Sequence, residues 1–191
     1  MSNKKQAAQK NQIRIIGGEW RGRKLSFPDL PGLRPTSDRI RETLFNWLQL
    51  DIIGSDCLDL FAGSGALGFE ALSRGAKSVT FVDSHLQSIK QLWLNANVLG
   101  TNAEIVQKDA LAYLTSVDRA FDVIFLDPPF NQELLSPSLK LVHERSLLKT
   151  DAKVYVESEI KLDFEMISDK WRVIKDKKAG NVFYYLLCLA E

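Results

Sequence analysis

The residues best suited to chemistry form two short stretches, each of which directly follows an apolar run. In the first, Gly63, Gly65 and Gly68 have the spacing Gly-x-Gly-x-x-Gly and precede a helix-favouring segment. Glycines let a ligand approach the backbone closely, and the free N–H groups at a helix start attract polar or anionic groups. The stretch predicts a cradle for a nucleotide cofactor, with an ordinary tight turn as the alternative. Its spacing does not distinguish a dinucleotide from S-adenosylmethionine.

The second stretch is Asp127-Pro128-Pro129-Phe130, which follows the β-prone run 121–126. Two prolines cannot donate to a β-ladder, so the strand must end there in a stiff loop. The loop offers a carboxylate, the Pro128 carbonyl and an aromatic face close together. These groups suit a planar substrate that carries an amino group, and we predict that all four residues belong to the catalytic site. A sharp loop with a capping acid is the alternative.

Acidic residues also end two other predicted strands. Asp83 lies twenty residues after Gly63, where a carboxylate can accept both hydroxyls of an adenosine ribose. Asp109 could reach an adenine amino group. Each acid could instead cap the helix that follows it. The other residues that we predict to contact the cofactor are Asp59, Phe61, Ser64, Ala110, Thr36 and Arg39.

The elements that position these residues alternate between strand and helix and end in two adjacent strands. This order predicts a doubly wound, mostly parallel, Rossmann-like α/β sheet with an antiparallel C-terminal strand pair. If the strand order is 3-2-1-4-5, the glycine stretch and the Asp127 loop share one pocket at the carboxyl edge of the sheet. Before the sheet, residues 13–25 predict a β-hairpin that turns at Gly17-Gly18. We predict a disordered tail at 1–11, a basic hairpin and linker at 12–35, and the main domain at 36–191.

The hairpin and the helix after it are rich in cations. Residues 1–50 carry ten Lys or Arg and four Asp or Glu, whereas the remainder carries fifteen and twenty. Cations interleaved with an aromatic residue are typical of a surface that meets a phosphate backbone and stacks on bases. A solvated charged face is the alternative. The residues that we predict to contact nucleic acid are Arg14, Trp20, Arg21, Arg23, Lys24, Arg34 and Arg41.

The composition of the chain excludes several classes of protein. The chain has 191 residues, of which 45% are hydrophobic and 26% charged, as expected for one globular domain with a small extension. Its two cysteines, Cys57 and Cys188, provide neither a disulfide framework nor a metal site. No apolar run approaches the roughly 18 residues of a membrane span. We therefore expect a cytoplasmic protein, and we expect a monomer because no long apolar surface stretch is evident.

The combined motifs resemble class I S-adenosylmethionine-dependent methyltransferases, and the Asp-Pro-Pro-Phe loop resembles those that methylate amino or amide nitrogens. More narrowly, the chain resembles the bacterial RsmD family from about residue 12 onward. The stretches that carry this resemblance are residues 13–18, 21–23, 33–36 and 39–48, Phe61-Ala62-Gly63-Ser64-Gly65-Ala66-Leu67-Gly68, and Tyr155-Val156-Glu157-Ser158. The resemblance implies methylation of N2 of a guanine in 16S ribosomal RNA, on the small subunit, with S-adenosylmethionine as donor and no metal.

An exocyclic amine is a poor nucleophile because its lone pair is delocalised into the ring. The Asp127 carboxylate and the Pro128 carbonyl could hold its two hydrogens, while Phe130 stacks on the extruded base. Three alternatives remain: an amino methyltransferase acting on adenine N6 or a protein glutamine, a nicotinamide oxidoreductase, and an RNA-binding module without catalysis.

Overall fold

The computed structural model describes residues 11–31, 35–101, 103–129, 133–163 and 169–190. Phe130, Arg34 and almost all of the predicted tail lie outside these residues. The strands are β1 Gln12–Arg14, β2 Lys24–Ser26, β3 Asp56–Asp59, β4 Ser78–Asp83, β5 Glu104–Gln107, β6 Phe121–Leu126, β7 Leu148–Ser158, β8 Trp171–Ala179 and β9 Val182–Leu189. The helices are α1 Asp38–Trp47, α2 Ala66–Ser73, α3 Leu86–Leu99, α4 Ala110–Ser116 and α5 Leu135–Glu144.

Strands β3 to β9 form one sheet in the order β5-β4-β3-β6-β7-β9-β8. The first five strands in that order are parallel, and β9 is antiparallel to both β7 and β8. The predicted order 3-2-1-4-5 and the antiparallel C-terminal pair are therefore confirmed. Because β3 and β6 are neighbours, the two chemical stretches that follow them lie side by side at the carboxyl edge.

Helices cover both faces of the sheet and enclose two hydrophobic clusters. Successive residues of β6 alternate between them: Phe125 packs with α1 and α2 on one face, and Ile124 with α4 and α5 on the other. This alternation follows from the two-residue period of a strand. The face bearing Phe125 also includes Tyr155 of β7.

The N-terminal hairpin exists, but it does not turn at Gly17-Gly18. Strands β1 and β2 pair antiparallel, with Ile13 opposite Leu25, and residues 15–23 connect them. Gly18 has a φ of +73° and lies against α2, where a Cβ would come within 1.8 Å of the Ser73 carbonyl oxygen. The glycine pair therefore permits close packing against α2. No helix in the described part of the chain is long and apolar enough to cross a membrane.

Candidate active site

A cavity of about 290 Å³ opens at the carboxyl ends of β3, β4, β5 and β6. The residues after each of these strands contribute to its wall, as expected for a doubly wound sheet. The predicted site residues that line the cavity are Thr36, Asp59, Phe61, Gly63, Ser64, Asp83, Asp109, Ala110, Asp127, Pro128 and Pro129. The glycine stretch and the proline loop therefore face one space.

The glycine stretch is held in place by Asp83. One oxygen of this carboxylate accepts the N–H of Gly63 (2.8 Å), and the other accepts the N–H of His85 (2.7 Å). Gly65 has a φ of +77° immediately before α2, where a Cβ would collide with Phe69. Gly65 itself does not line the cavity, so it contributes by shaping the turn.

Asp59 lies beneath the glycine stretch and is almost fully buried. It accepts the backbone N–H of Gly68 (3.0 Å). Burial raises the pKa of the Asp59 carboxyl to about 7, although the hydrogen bond from Gly68 opposes this shift. The carboxyl group thus joins the end of β3 to the first turn of α2.

Asp127 is half-buried at the cavity wall, beside the buried Pro128. Its Oδ2 accepts a hydrogen bond from the hydroxyl of Thr36 (3.2 Å), which precedes α1. Burial raises the pKa of Asp127 to about 6, and the bond from Thr36 opposes this rise. Asp127 therefore has a hydroxyl partner from outside the sheet.

A second carboxyl group, Glu157, lies beside this arrangement at the end of β7 and is only 4% exposed. Its Oε1 accepts the phenolic O–H of Tyr155 (2.8 Å). Burial, followed by the charge of Asp127, raises the pKa of Glu157 well above its usual range. Two neighbouring acidic groups with raised pKa values therefore lie at the ends of β6 and β7, and of the two only Asp127 lines the cavity.

Comparison with known proteins places the chain among methyltransferases of ribosomal RNA. Residues 13–188 match the family model described as "Conserved hypothetical protein 95". Ribosomal RNA small subunit methyltransferase D of Escherichia coli is 46% identical over 176 residues, which cover 92% of this chain and 89% of that protein. Its namesake in Haemophilus influenzae is also 46% identical, over 93% and 94% of the two chains. The chain belongs to this family, the RsmD family.

Solved structures agree with the RsmD assignment. The structure of the E. coli protein yhhF is 44% identical, with a TM-score of 0.84 over 93% of this chain and 97% of that one. The Thermus thermophilus 16S rRNA N2 G1207 methyltransferase, solved with AdoMet and guanosine, has a TM-score of 0.70 at 21% identity. The match covers 94% of this chain and 49% of the Thermus thermophilus chain. At that identity, the likeness concerns the fold.

Two of the predicted RNA contacts are corrected by burial. Arg41 is 1% exposed, and its guanidinium binds Asp38, Glu70 and the carbonyl of Arg14. Trp20 is 9% exposed and packs in the hydrophobic cluster that contains α1 and α2. Both side chains therefore stabilise the fold of this RsmD-family protein and are inaccessible to RNA.

The other predicted contacts among the described residues lie on the surface. Arg14 is exposed and pairs with Asp38 (3.2 Å), while Arg21, Arg23 and Lys24 are exposed on the hairpin. Arg39 is exposed on α1 and does not line the cavity, so a contact with the cofactor there is not supported.

Sequence reasoning assigned no role to two buried acids, Glu70 and Glu157. Glu70 of α2 accepts the N–H groups of Ile16 and Gly17 (both 2.8 Å) and binds Arg41 and Arg74. The sequence did contain a signal for Glu70, because it is a charged residue in an otherwise apolar helix. For Glu157, the signal was its place at the end of a strand next to β6.

Proposed function

We propose that this protein transfers a methyl group from S-adenosylmethionine to N2 of a guanine in bacterial 16S ribosomal RNA. The observation that carries the proposal is that Asp127 and Pro128 line the same cavity as the glycine stretch. One side of that cavity suits a nucleoside cofactor, and the other suits a planar amine. The substrate is taken from the family, whose named members are small-subunit methyltransferases.

The residues present fit S-adenosylmethionine. The Asp83 side chain is 11% exposed at the end of β4, and each of its oxygens uses one lone pair on a backbone N–H. A carboxylate has about four acceptor positions, so the two ribose hydroxyls can still be bound. The N–H groups at the start of α2 and the cavity-lining Asp109 provide further polar contacts. When bound, the cofactor supplies a methyl group attached to a positively charged sulfur.

The chain's own residues orient the amine. Because Oδ2 of Asp127 accepts the Thr36 hydroxyl, we assign Oδ1 to one hydrogen of the substrate amine and the Pro128 carbonyl to the other. This arrangement turns the nitrogen lone pair toward the methyl group and stabilises the positive charge that develops on nitrogen. Phe130, outside the described residues, stays the predicted stacking partner of the base.

The RNA-binding surface that we propose combines the hairpin with the outer face of α3. Arg23 donates to the carbonyl of Val98 in α3 (3.5 Å), which brings the hairpin cations beside that helix. Trp93 and Leu94 of α3 are 48% and 57% exposed. Trp93 therefore replaces the buried Trp20 as the aromatic residue available to stack on a base.

The proposal extends to the setting of the reaction. The substrate is the 16S RNA of an assembled or nearly assembled small subunit, and the enzyme acts as a monomer in the bacterial cytoplasm. Both the monomeric state and the division into a hairpin segment at 12–35 and a methyltransferase domain at 36–191 stay predictions.

The decisive experiment incubates the purified protein and radiolabelled S-adenosylmethionine with small subunits that lack their native methylation. The RNA is then digested and the labelled nucleosides are identified. Label in N2-methylguanosine is the expected result. Label in N6-methyladenosine would contradict the guanine assignment, and label in protein would contradict the RNA substrate.

A further inference from the structure

The segment between the hairpin and α1 forms part of the cavity wall. Among its described residues, those that line the cavity are Leu30, Pro31, Pro35 and Thr36. The other described lining residues lie between positions 59 and 134, within the sheet domain. One wall of the cavity therefore comes from outside the sheet. In that wall, only Thr36 was predicted to contact the cofactor.

Two hydrogen bonds attach this segment to the sheet domain. Just before the segment, the carbonyl of Ser26 accepts the side-chain amide of Asn95 in α3 (2.9 Å). At its other end, the Thr36 hydroxyl donates to Oδ2 of Asp127 (3.2 Å). Helix α3 follows β4, and Asp127 follows β6, while β3 with its glycine stretch lies between these two strands. The two attachments are therefore on different sides of the glycine stretch.

Leu30 lies toward the α3 side of the cavity. It is four residues after Ser26, a stretch that spans at most about 14 Å when fully extended. Along α3, the distance from Asn95 back to Ser88 is about 10 Å. Ser88, in the first turn of α3, lines the same cavity. These lengths match a path along α3 that enters the cavity beside Asp83, the acid that we assign to the ribose.

Leu30 presents apolar surface to the cavity. It is half-buried, yet among the described residues it packs in neither hydrophobic cluster. Phe27, three residues earlier in the same segment, packs against the cluster that contains α1 and α2. Ligand sites typically combine apolar walls with a few polar groups, and covering apolar surface with an apolar ligand face is favourable. The exposed part of Leu30 therefore suits the flat face of a purine nucleoside.

We propose that Leu30 and Pro31 contact the adenosine part of S-adenosylmethionine and complete its site from outside the sheet. The inference rests on the proposed function for its choice of cofactor. Asp83 binds the ribose hydroxyls, while Leu30 and Pro31 cover an apolar face of the nucleoside. The cofactor site consequently extends across the boundary predicted between residues 35 and 36. The segment whose cations we assign to RNA thus also binds the cofactor.

Calorimetry without RNA tests the contact. Leu30→Ala should raise the dissociation constant of S-adenosylmethionine about five- to tenfold, the effect of removing part of a leucine from an apolar contact. Leu30→Ile keeps the volume and should retain most of the affinity. The second ligand is 5′-methylthioadenosine, which has the adenosine but no amino-acid part, and Leu30→Ala should weaken its binding by the same factor. Unchanged affinity for either ligand in Leu30→Ala would overturn the proposal.

The matched control is Leu162→Ala. Leu162 is also a half-buried leucine outside the helices and strands, but it packs against the cluster that contains α4 and α5 and does not line the cavity. Its replacement should lower the melting temperature of the ligand-free protein and leave the affinity for S-adenosylmethionine unchanged. Leu30→Ala should show the reverse pattern. If both variants lose only stability, Leu30 is a packing residue and the proposal is wrong.

Kinetics distinguish the cofactor from the substrate base as the partner of Leu30. With saturating S-adenosylmethionine, Leu30→Ala should keep the wild-type KM for small subunits that lack their native methylation. A raised KM for subunits together with unchanged cofactor affinity would place Leu30 against the base and overturn the proposal. If the wild type binds the cofactor but methylates no RNA, the proposed function fails, while calorimetry with the two ligands still decides the contact of Leu30.

Discussion

Arg41 of α1 and Glu70 of α2 form an ion pair in which both side chains are buried, with 3.4 Å between Nη1 and Oε2. The same carboxylate accepts two backbone N–H groups from the segment after β1. Glu70 therefore joins the N-terminal segment and α1 to the sheet domain. Without it, the buried guanidinium would lose one of its acceptors, and two part-buried N–H groups would lose theirs.

The first prediction is that Glu70→Ala destabilises the protein by about 3–5 kcal/mol, the usual cost of removing one partner of a buried ion pair. Urea unfolding followed by circular dichroism measures this loss. The matched control is Glu144→Ala, which removes an exposed carboxylate 3.8 Å from Lys140 and should have little effect. Equal stabilities for the two variants would show that the Glu70 network contributes little.

The second prediction concerns the Asp127 carboxylate. Asp127→Ala should lower the rate of methyl transfer on the order of 10²-fold or more, as expected for the loss of one positioned polar group. Asp127→Asn keeps an oxygen acceptor and should be impaired less. The control is Asp122→Asn at the opposite end of β6, where the side chain binds Lys149 outside the cavity. Near-normal turnover by Asp127→Ala would refute its catalytic assignment.

The third prediction is that the rate of methyl transfer falls at acidic pH, which gives the pH–rate profile an acid limb. The ionised form of Asp127 accepts the amine hydrogen, and burial raises the pKa of this group to about 6. The rate should therefore rise as pH increases from 5 to 7.

Thr36→Val tests the cause of that limb. The Thr36 hydroxyl lowers the pKa of Asp127 by donating to its charged form, so its removal should move the limb to higher pH. Stopped-time assays with radiolabelled cofactor across the pH range measure the shift. A limb that stays in place or moves to lower pH would argue against the Thr36 contact.

Sequence reasoning predicts the fold best where an element carries its own boundary signals. The bounds of β6 and the last residue of β4 match the predictions because a proline pair or an acid marks the end of each run of β-branched and aromatic residues. The burial of Trp20 and Arg41 could not be predicted in the same way. It depends on Ser73 and Glu70, partners that lie 53 and 29 residues away.

At the site, too, local motifs could be predicted from the sequence, whereas contacts between distant segments could not. The glycine stretch and the Asp127 loop are local motifs, and the strand order predicts that they lie close to each other. The Asp127–Glu157 pair depends instead on the register between β6 and β7, which includes an irregularity between Phe121 and Val123. An offset of this kind has no signature in the residues of one strand alone, so the position of Glu157 near the end of a strand did not reveal that it lies beside Asp127.

The fourth prediction separates the two roles of Asp83. Asp83→Ala removes acceptors from the N–H groups of Gly63 and His85, so it should reduce stability by about 1–3 kcal/mol as well as weaken cofactor binding. Asp83→Asn keeps one acceptor and should recover part of the stability. Calorimetry with S-adenosylmethionine measures the affinity of both variants. Unchanged affinity in Asp83→Ala would limit Asp83 to a structural role.

The fifth prediction concerns the RNA surface. Arg21→Ala combined with Arg23→Ala should weaken binding to 16S RNA and reduce the slope of log affinity against log salt by about one per lost phosphate contact. Trp93→Ala should weaken binding by about 1–3 kcal/mol with the salt slope unchanged, because stacking on a base does not release counterions. Filter binding at several salt concentrations measures both quantities. The matched control is Lys175→Ala with Lys177→Ala, two exposed cations on the edge strand β8. If the control lowers affinity and salt slope as much as the arginine pair, the hairpin has no special part in RNA binding.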